Sequence, residues 1–292
     1  MSPPAAMTDY TYCFGDTGFV LNTDFNNTFP FFDVTDVSGL DSAPPRVTTN
    51  ERSQMDGTYM DAPFTSGRTI IVTGDMYTKP SDPESQLKLL KRDYGAGSGI
   101  KPFYFQIPGS TMQFVNGIGG GCKYDHDTNR SIGKTAGVQL TVLASDPYIY
   151  DYPGQAVGIQ IPTVVTGIGM GFNTGFNLGF GGTIAGNSAT VQNLGTHTAF
   201  PIITLYGPLV NPVLVDGYTG YTMSFSISLQ ASDALVIDCR NRSVVLNGTA
   251  SRRSTLTGAQ WPYLPAGFSS SIQFYADSGA GSAMVQLWNT YY

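Results

Sequence analysis

Charge is scarce in this 292-residue chain: Asp, Glu, Lys and Arg make up 12% of it, against roughly 25% in an average soluble protein. The balance is acidic, with a net charge of -6. That argues against a general nucleic-acid binder, because counterion release needs several Lys or Arg on one face. The largest basic cluster, Lys88, Lys91 and Arg92, falls on a predicted helix and reads as its solvated face. Cysteine is limited to the isolated Cys13, Cys122 and Cys239, so neither a disulfide framework nor a zinc site is signalled. The expectation is buried thiols in a protein assembled in a reducing cytoplasm. No apolar run approaches the roughly 18 residues needed to span a bilayer, and Met1-Ser-Pro-Pro-Ala-Ala6 is not followed by the apolar stretch of a secretory signal. No membrane association is expected.

Histidine is limited to His126 and His197, which leaves little material for a histidine-based triad or a multi-histidine metal site. Asp125-His126-Asp127 reads as a surface loop, and His197 as a residue hydrogen-bonding locally at a strand start. The glycine clusters miss the phosphate-binding patterns. Gly117-Ile-Gly119 has Cys122 where a third Gly belongs, and Gly133-Lys134-Thr135 has Thr128 where a P-loop needs its first Gly. No carboxylate pair across a cleft can be identified from spacing; Asp233 and Asp238, flanking Leu235-Val-Ile237, look like turn and strand-end residues. No catalytic residue, cofactor or metal is therefore assigned. Trp261 and Tyr263, beside Pro262 and Pro265, would suit either an aromatic platform for sugar or a core or interface anchor, the second being the commoner use of large aromatics.

What is abundant is glycine, 35 residues, and aromatics at 12%. With Ser, Thr and Asn they suit a subunit whose exterior is largely covered by neighbours. Met223, Phe225, Ile227 and Leu229 alternate with Ser224, Ser226 and Ser228, placing the bulky side chains on one face of a half-buried antiparallel strand. Leu235-Val-Ile-Asp-Cys239 and Ser243-Val-Val-Leu246 flank a short polar connection and read as a hairpin, and Asn247-Gly248 supplies a second tight turn. Ser271-Ile-Gln-Phe-Tyr275 and Ala283-Met-Val-Gln-Leu-Trp288 bracket a loop. A sandwich or barrel fits this series.

In the first half, residues 11–32 look like edge strands and loops, and Arg68-Thr-Ile-Ile-Val-Thr73 is a β-branched run bounded by Gly67 and Gly74. The period then changes. Ser81-Asp-Pro-Glu84 offers a helix start, Leu87, Leu90 and Tyr94 follow at helical spacing, and Gly95 ends the run. This predicts one helix near 82–94. Strands resume at Pro102-Phe-Tyr-Phe-Gln-Ile107, Met112-Gln-Phe-Val115 and Gly137-Val-Gln-Leu-Thr-Val-Leu143. A boundary is placed after Asp146-Pro147, giving a β-rich domain at 1–147 and, at 148–292, a Gly-rich connector with a second β-sandwich. The glycine-rich stretch around 165–186 reads as connector plus first strand, with an extended arm onto a neighbour as the alternative.

The ordered series Asp56-Gly57, Gly67-Arg-Thr-Ile70, one helix, Asp146-Pro147, Asn193-x-Gly195, Gly207, Asn211-Pro212, Gly220, Asp238, Asn247-Gly248, Trp261, Leu264-Pro-x-Gly267 and Trp288 resembles the siphophage distal tail protein (Dit-like) family. Its wording is similar to minor tail proteins of phages of actinobacteria. The resemblance implies a mainly β fold, with an N-terminal β-sandwich carrying one α-helix and a C-terminal galectin-like or carbohydrate-binding-module-like β-sandwich. It further implies a homo-hexameric ring at the distal end of the virion tail. The ring would join the tail-tube ring to the tail-tip or baseplate hub and receptor-binding proteins, with DNA crossing its centre unbound. A mildly acidic wall suits such a channel. The ring interface is expected on the strands carrying Arg68, Ile70, Phe103 and Phe105, with Arg68 expected to be exposed. The competing class is a carbohydrate-binding protein gripping host-wall polysaccharide through Trp261, Tyr263 or Tyr218; a wall-degrading hydrolase is a third.

Overall fold

The computed structural model describes residues 7–16, 19–23, 31–78, 83–126, 134–160 and 187–292. They form two compact units, Met1–Tyr152 with Tyr291–Tyr292, and Pro153–Thr290. The first unit extends past the Asp146-Pro147 turn because Ile149–Asp151 pairs with the strand Gln113–His126, Gln113 facing Asp151 and Phe114 facing Tyr150.

The first unit is built on an antiparallel sheet in the order Val20–Leu21, Tyr12–Phe14, Lys101–Phe105, Gln113–His126, Lys134–Ala144, Arg68–Tyr77, Phe31–Ser38. Gln113–His126 is its organising strand. Its first half pairs with Lys101–Phe105, its second half with Lys134–Ala144, and a bulge interrupts the register between Gly119 and Gly121. A bulge bends a strand and increases its twist, so one strand serves two sheet segments that enclose a common core. Phe14, Phe103 and Phe105 from one segment and Ile70, Val72 and Leu140 from the other are buried in it. Val20–Leu21 is an edge strand, as expected of residues 11–32, and Phe31–Ser38, which starts at the end of that region, is the opposite edge. Tyr12–Phe14 departs from that expectation: it is an interior strand, buried throughout, with Cys13 facing Tyr104.

The helix is Pro83–Asp93, the only α-helix among the described residues. Leu87, Leu90 and Tyr94 are buried on the core, as the 3–4 spacing requires. Lys88, Lys91 and Arg92 are exposed. Lys88 pairs with Glu84 at 3.1 Å and Arg92 with Asp93 at 2.9 Å, while Lys91 Nζ donates to Tyr124 Oη at 2.7 Å. Gly117 and Gly119, whose spacing misses the phosphate-loop pattern, are strand residues. A Cβ at Gly119 would sit 2.3 Å from the Tyr94 carbonyl oxygen, so this glycine lets the end of the helix close onto the sheet.

The second unit is a sandwich. One sheet runs Gln155–Gln160, Ser282–Leu287, Ile202–Tyr206, Ala234–Asp238, Ser243–Leu246, Ala250–Ser251; the other runs Ser188–Gln192, Ser269–Tyr275, Val213–Asp216, Thr222–Phe225, Leu256–Ala259. Ile203, Leu235, Ile237 and Val285 from the first share one core with Leu214, Met223, Phe225, Ile272 and Phe274 from the second. The predicted hairpin is present, Leu235 facing Leu246 and Asp238 facing Ser243, and Asn247 and Gly248 both take positive φ, 50° and 74°. The alternating run 223–229 keeps its inward residues but divides into Thr222–Phe225 and Ser228–Leu229, which belong to different sheets. Ser269–Tyr275 and Ser282–Leu287 likewise lie in opposite sheets, so the loop between them crosses from one layer to the other. The glycine-rich stretch at 161–186 lies outside the described residues.

Gly119→Ala should push the helix end off the strand and cost about 2 kcal/mol or more, read as a lower denaturant midpoint with the m-value unchanged; an unaltered midpoint would show that the helix end yields freely.

Candidate functional site

The scattered wording of the C-terminal unit converges on Asn193. Its side chain is completely buried. Nδ2 donates to the carbonyls of His197 at 2.7 Å, Leu264 at 3.1 Å and Pro265 at 3.2 Å. Oδ1 accepts from the N–H of Gly195 at 3.0 Å and of Thr290 at 3.4 Å. The Asn193 backbone N–H donates to Phe268 O, and its carbonyl accepts from Gly267 N. A carboxamide has two donors and one acceptor oxygen, and here both ends are used, among buried and part-buried backbone groups. Gly195 follows from this: a Cβ there would lie 2.1 Å from Thr290 O. His197 takes part through its backbone, bridging Thr290. Asn193, Gly195, Leu264 and Gly267 are thus parts of one latch rather than of a reaction centre. Asp233 is a turn residue and Asp238 ends a strand: Asp233 accepts from Asn247 and from the Gln230 N–H, which hold its carboxyl below the usual carboxylate value, and Asp238 accepts from the N–H groups of Arg240 and Asn241.

The three aromatics proposed as sugar-facing separate. Trp261 is half-buried against the sandwich core, with the Arg253 guanidinium 5.8 Å from its ring. Tyr263 is half-buried edge-on to Tyr221, centroids 6.1 Å apart. Both are packing residues first. Tyr218 is exposed and lies 5.2 Å from the exposed ring of Phe268. The Tyr218 N–H donates to Ser270 Oγ, which in turn donates to the buried Asp216. Phe268 was not singled out from sequence; a large aromatic directly after the Pro265-Ala-Gly267 turn and before a run of serines was the available signal.

In the first unit the four ring-interface candidates are core residues. Ile70 and Phe103 have no exposure at all, and Phe105 has 1%. Arg68 corrects the expectation of an exposed probe: it is 2% exposed, with Nε donating to Pro147 O at 2.7 Å and Nη1 donating to Gly39 O at 3.2 Å and Asp41 O at 3.0 Å. Burying a guanidinium is tolerated where carbonyls surround it, and here it ties two loops to the start of a strand. The apolar surface of this unit lies elsewhere. Ile118 and Leu143 face each other across neighbouring strands, 37% and 41% exposed. The segment 44–64 is exposed at every residue.

Among the described residues no group of three His, Cys, Asp or Glu is placed to hold a metal ion. Asp127 and the His126 side chain lie outside the described residues. Cys13 and Cys239 are buried and in no disulfide, whereas Cys122 is half-buried, contrary to expectation. Burial raises the Cys239 thiol; it also raises that of Cys122, against the opposing effect of Lys91.

Among the described residues these features define a mainly β protein: one unit that carries the single α-helix and a second, sandwich unit closed by a buried asparagine. Residues 194–285 match the model of the siphovirus-type tail component, C-terminal domain. Among solved structures, the Dit protein of phage SPP1, described as a paradigm of the hub adsorption apparatus in phages infecting Gram-positive bacteria, aligns with TM-score 0.59 at 14% identity over 98% of this chain and 100% of its own. A chain of the phage p2 baseplate in its activated conformation with Sr aligns with TM-score 0.53 at 12% identity, over 96% of this chain and 98% of its own. A comparison with curated proteins finds no match. The fold of the whole chain is Dit-like.

Asn193→Ala should remove the latch and leave several buried carbonyls and N–H groups unpaired, costing about 3 kcal/mol in chemical denaturation of the full chain; a loss below about 1 kcal/mol would mean that water replaces the carboxamide.

Proposed function

We propose that this chain is a distal tail hub of a siphophage virion, a structural protein that forms a hexameric ring between the tail tube and the tail-tip or baseplate machinery, with DNA passing through the centre. The observation that carries this reading is the full-length, two-unit likeness to SPP1 Dit, joined to the tail-component match over residues 194–285. The low charge of 12% and the net charge of -6 agree with a subunit covered by neighbours around a channel that does not retain DNA. Function then resides in shape and in the surfaces that subunits present to each other. Light scattering and negative-stain microscopy of the purified chain test it. A closed six-fold ring with a central hole, at six times the chain mass, is expected; a monomer at every accessible concentration overturns the self-assembling ring.

A second reading, carbohydrate binding by the C-terminal unit, is favoured by the exposed Tyr218–Phe268 pair, since exposed rings offer a stacking face to a pyranose. Loss of binding to purified host-wall polysaccharide in Tyr218→Ala, with Trp261→Ala unaffected in any chain that stays folded, would establish it. Absence of binding by the unaltered chain would set it aside.

A further inference from the structure

Every cationic side chain of residues 148–292 is an arginine, and all four, Arg240, Arg242, Arg252 and Arg253, fall within a stretch that holds no Asp or Glu. In sequence they are two separated pairs. Strand pairing brings them to one corner of the sandwich. Arg240 and Arg242 lie in the loop between Ala234–Asp238 and Ser243–Leu246. Ala250–Ser251 runs back along the second of these strands, Val245 facing Ser251, and the Arg252 N–H donates to Val244 O at 2.8 Å. Arg252 and Arg253 therefore arrive beside Ser243, where the loop ends. From there Arg253–Thr255 forms a short turn of 3-10 helix and the chain crosses to Leu256–Ala259, the edge strand of the opposite sheet.

The charge of this corner is not consumed within the unit. Asp238 accepts from the N–H groups of Arg240 and Asn241 and from Asn241 Nδ2. Arg252 Nη1 donates to Ser251 O at 3.3 Å, and the Arg253 guanidinium lies 5.8 Å from the Trp261 ring. Among the described residues Arg242, Arg252 and Arg253 form no ion pair with a carboxylate. Arg242 is exposed at a φ of 51°, a conformation that glycine or asparagine takes more easily, so the loop keeps an arginine against its local preference. Arginine binds phosphate bidentately and is more weakly hydrated than lysine. The exposed Asn241, Ser251 and Ser254 around the four guanidinium groups offer partners to ligand hydroxyls. Elsewhere in the unit the charged side chains are carboxylates, Asp216, Asp233 and Asp277. A rigid duplex needs a broad cationic face, whereas a flexible single chain can turn its phosphates onto one corner. We propose that the arginine corner binds a flexible phosphodiester-linked polymer whose repeats carry free hydroxyls, through residues other than the Tyr218–Phe268 pair and without need of the ring.

The test is calorimetric titration of the full chain with purified poly(glycerol phosphate) at several salt concentrations. Four phosphate contacts should make the affinity fall roughly fiftyfold between about 50 and about 200 mM salt, using the coefficient of about 0.7 per contact for flexible strands. The variant Arg242→Glu/Arg253→Glu should bind roughly tenfold more weakly or worse and flatten the log–log salt slope by about two. Lys88→Glu, on the helix of the first unit, should change neither. Arg242→Gly relieves the positive φ as it removes a charge, so its denaturant midpoint should not fall while its salt slope flattens by about one. A lower midpoint with an unchanged slope would show that Arg242 holds the loop rather than a ligand, and would overturn the site. An equal loss in Lys88→Glu would trace the effect to net charge and overturn it too. Failure of the unaltered chain to bind the polymer at about 50 mM salt overturns the proposal outright. Duplex DNA of matched charge binding as tightly would make the corner a general polyanion surface and overturn the assigned ligand class.

Discussion

The carboxamide of Asn193 is the constraint on which the second sandwich depends. A β-sandwich closes when the ends of its strands are tied across the gap between sheets, and here the tie is one buried side chain that reaches the carbonyls at 197, 264 and 265 and the N–H groups at 195 and 290. Those groups come from strands and turns separated by most of the unit. Those that are buried must be paired, and a single planar group with fixed donors and acceptors sets where all of them sit. Gly195 is small because Thr290 is close, and Gly154 is small because the Trp288 indole lies 2.4 Å from where its Cβ would be. The recurring vocabulary of this half of the chain is the vocabulary of closure.

The first unit meets the same problem with a charge. Arg68 is buried at the foot of a central strand and holds the carbonyls of residues 39, 41 and 147. A guanidinium offers five donors in a rigid plane, so it gathers loops that a lysine would leave free.

Much of this was legible in the sequence, and what was not has a common cause. The helix could be read because Leu87, Leu90 and Tyr94 repeat at a local spacing, and the strand faces because 223, 225 and 229 alternate with serine. The turn at Asn247-Gly248 was readable because positive φ favours those residues. Arg68 was misread because its partners lie up to 79 positions away, and a charge at the start of a strand looks solvent-facing when only its neighbours are seen. In sequence Ile70, Phe103 and Phe105 suggest an interface because they are apolar and well placed on their strands; the same quality puts them in the core. The surfaces left apolar, Ile118 with Leu143 and a two-stranded ribbon at 45–65, are visible only once pairing shows which face of each strand is turned outward.

The poverty of charge reaches into how the folded body answers to its solution. The ion pairs between carboxylates and cationic side chains include Glu84 with Lys88 and Arg92 with Asp93, both on the helix, and such pairs at a surface contribute little. Added salt shortens the screening length to about 8 Å at physiological strength, so it weakens exposed pairs of this kind first, whereas the cores of both units are apolar. Ionic strength therefore acts on this protein mainly at its outer surfaces, and a strong response to salt reports chiefly on what those surfaces touch.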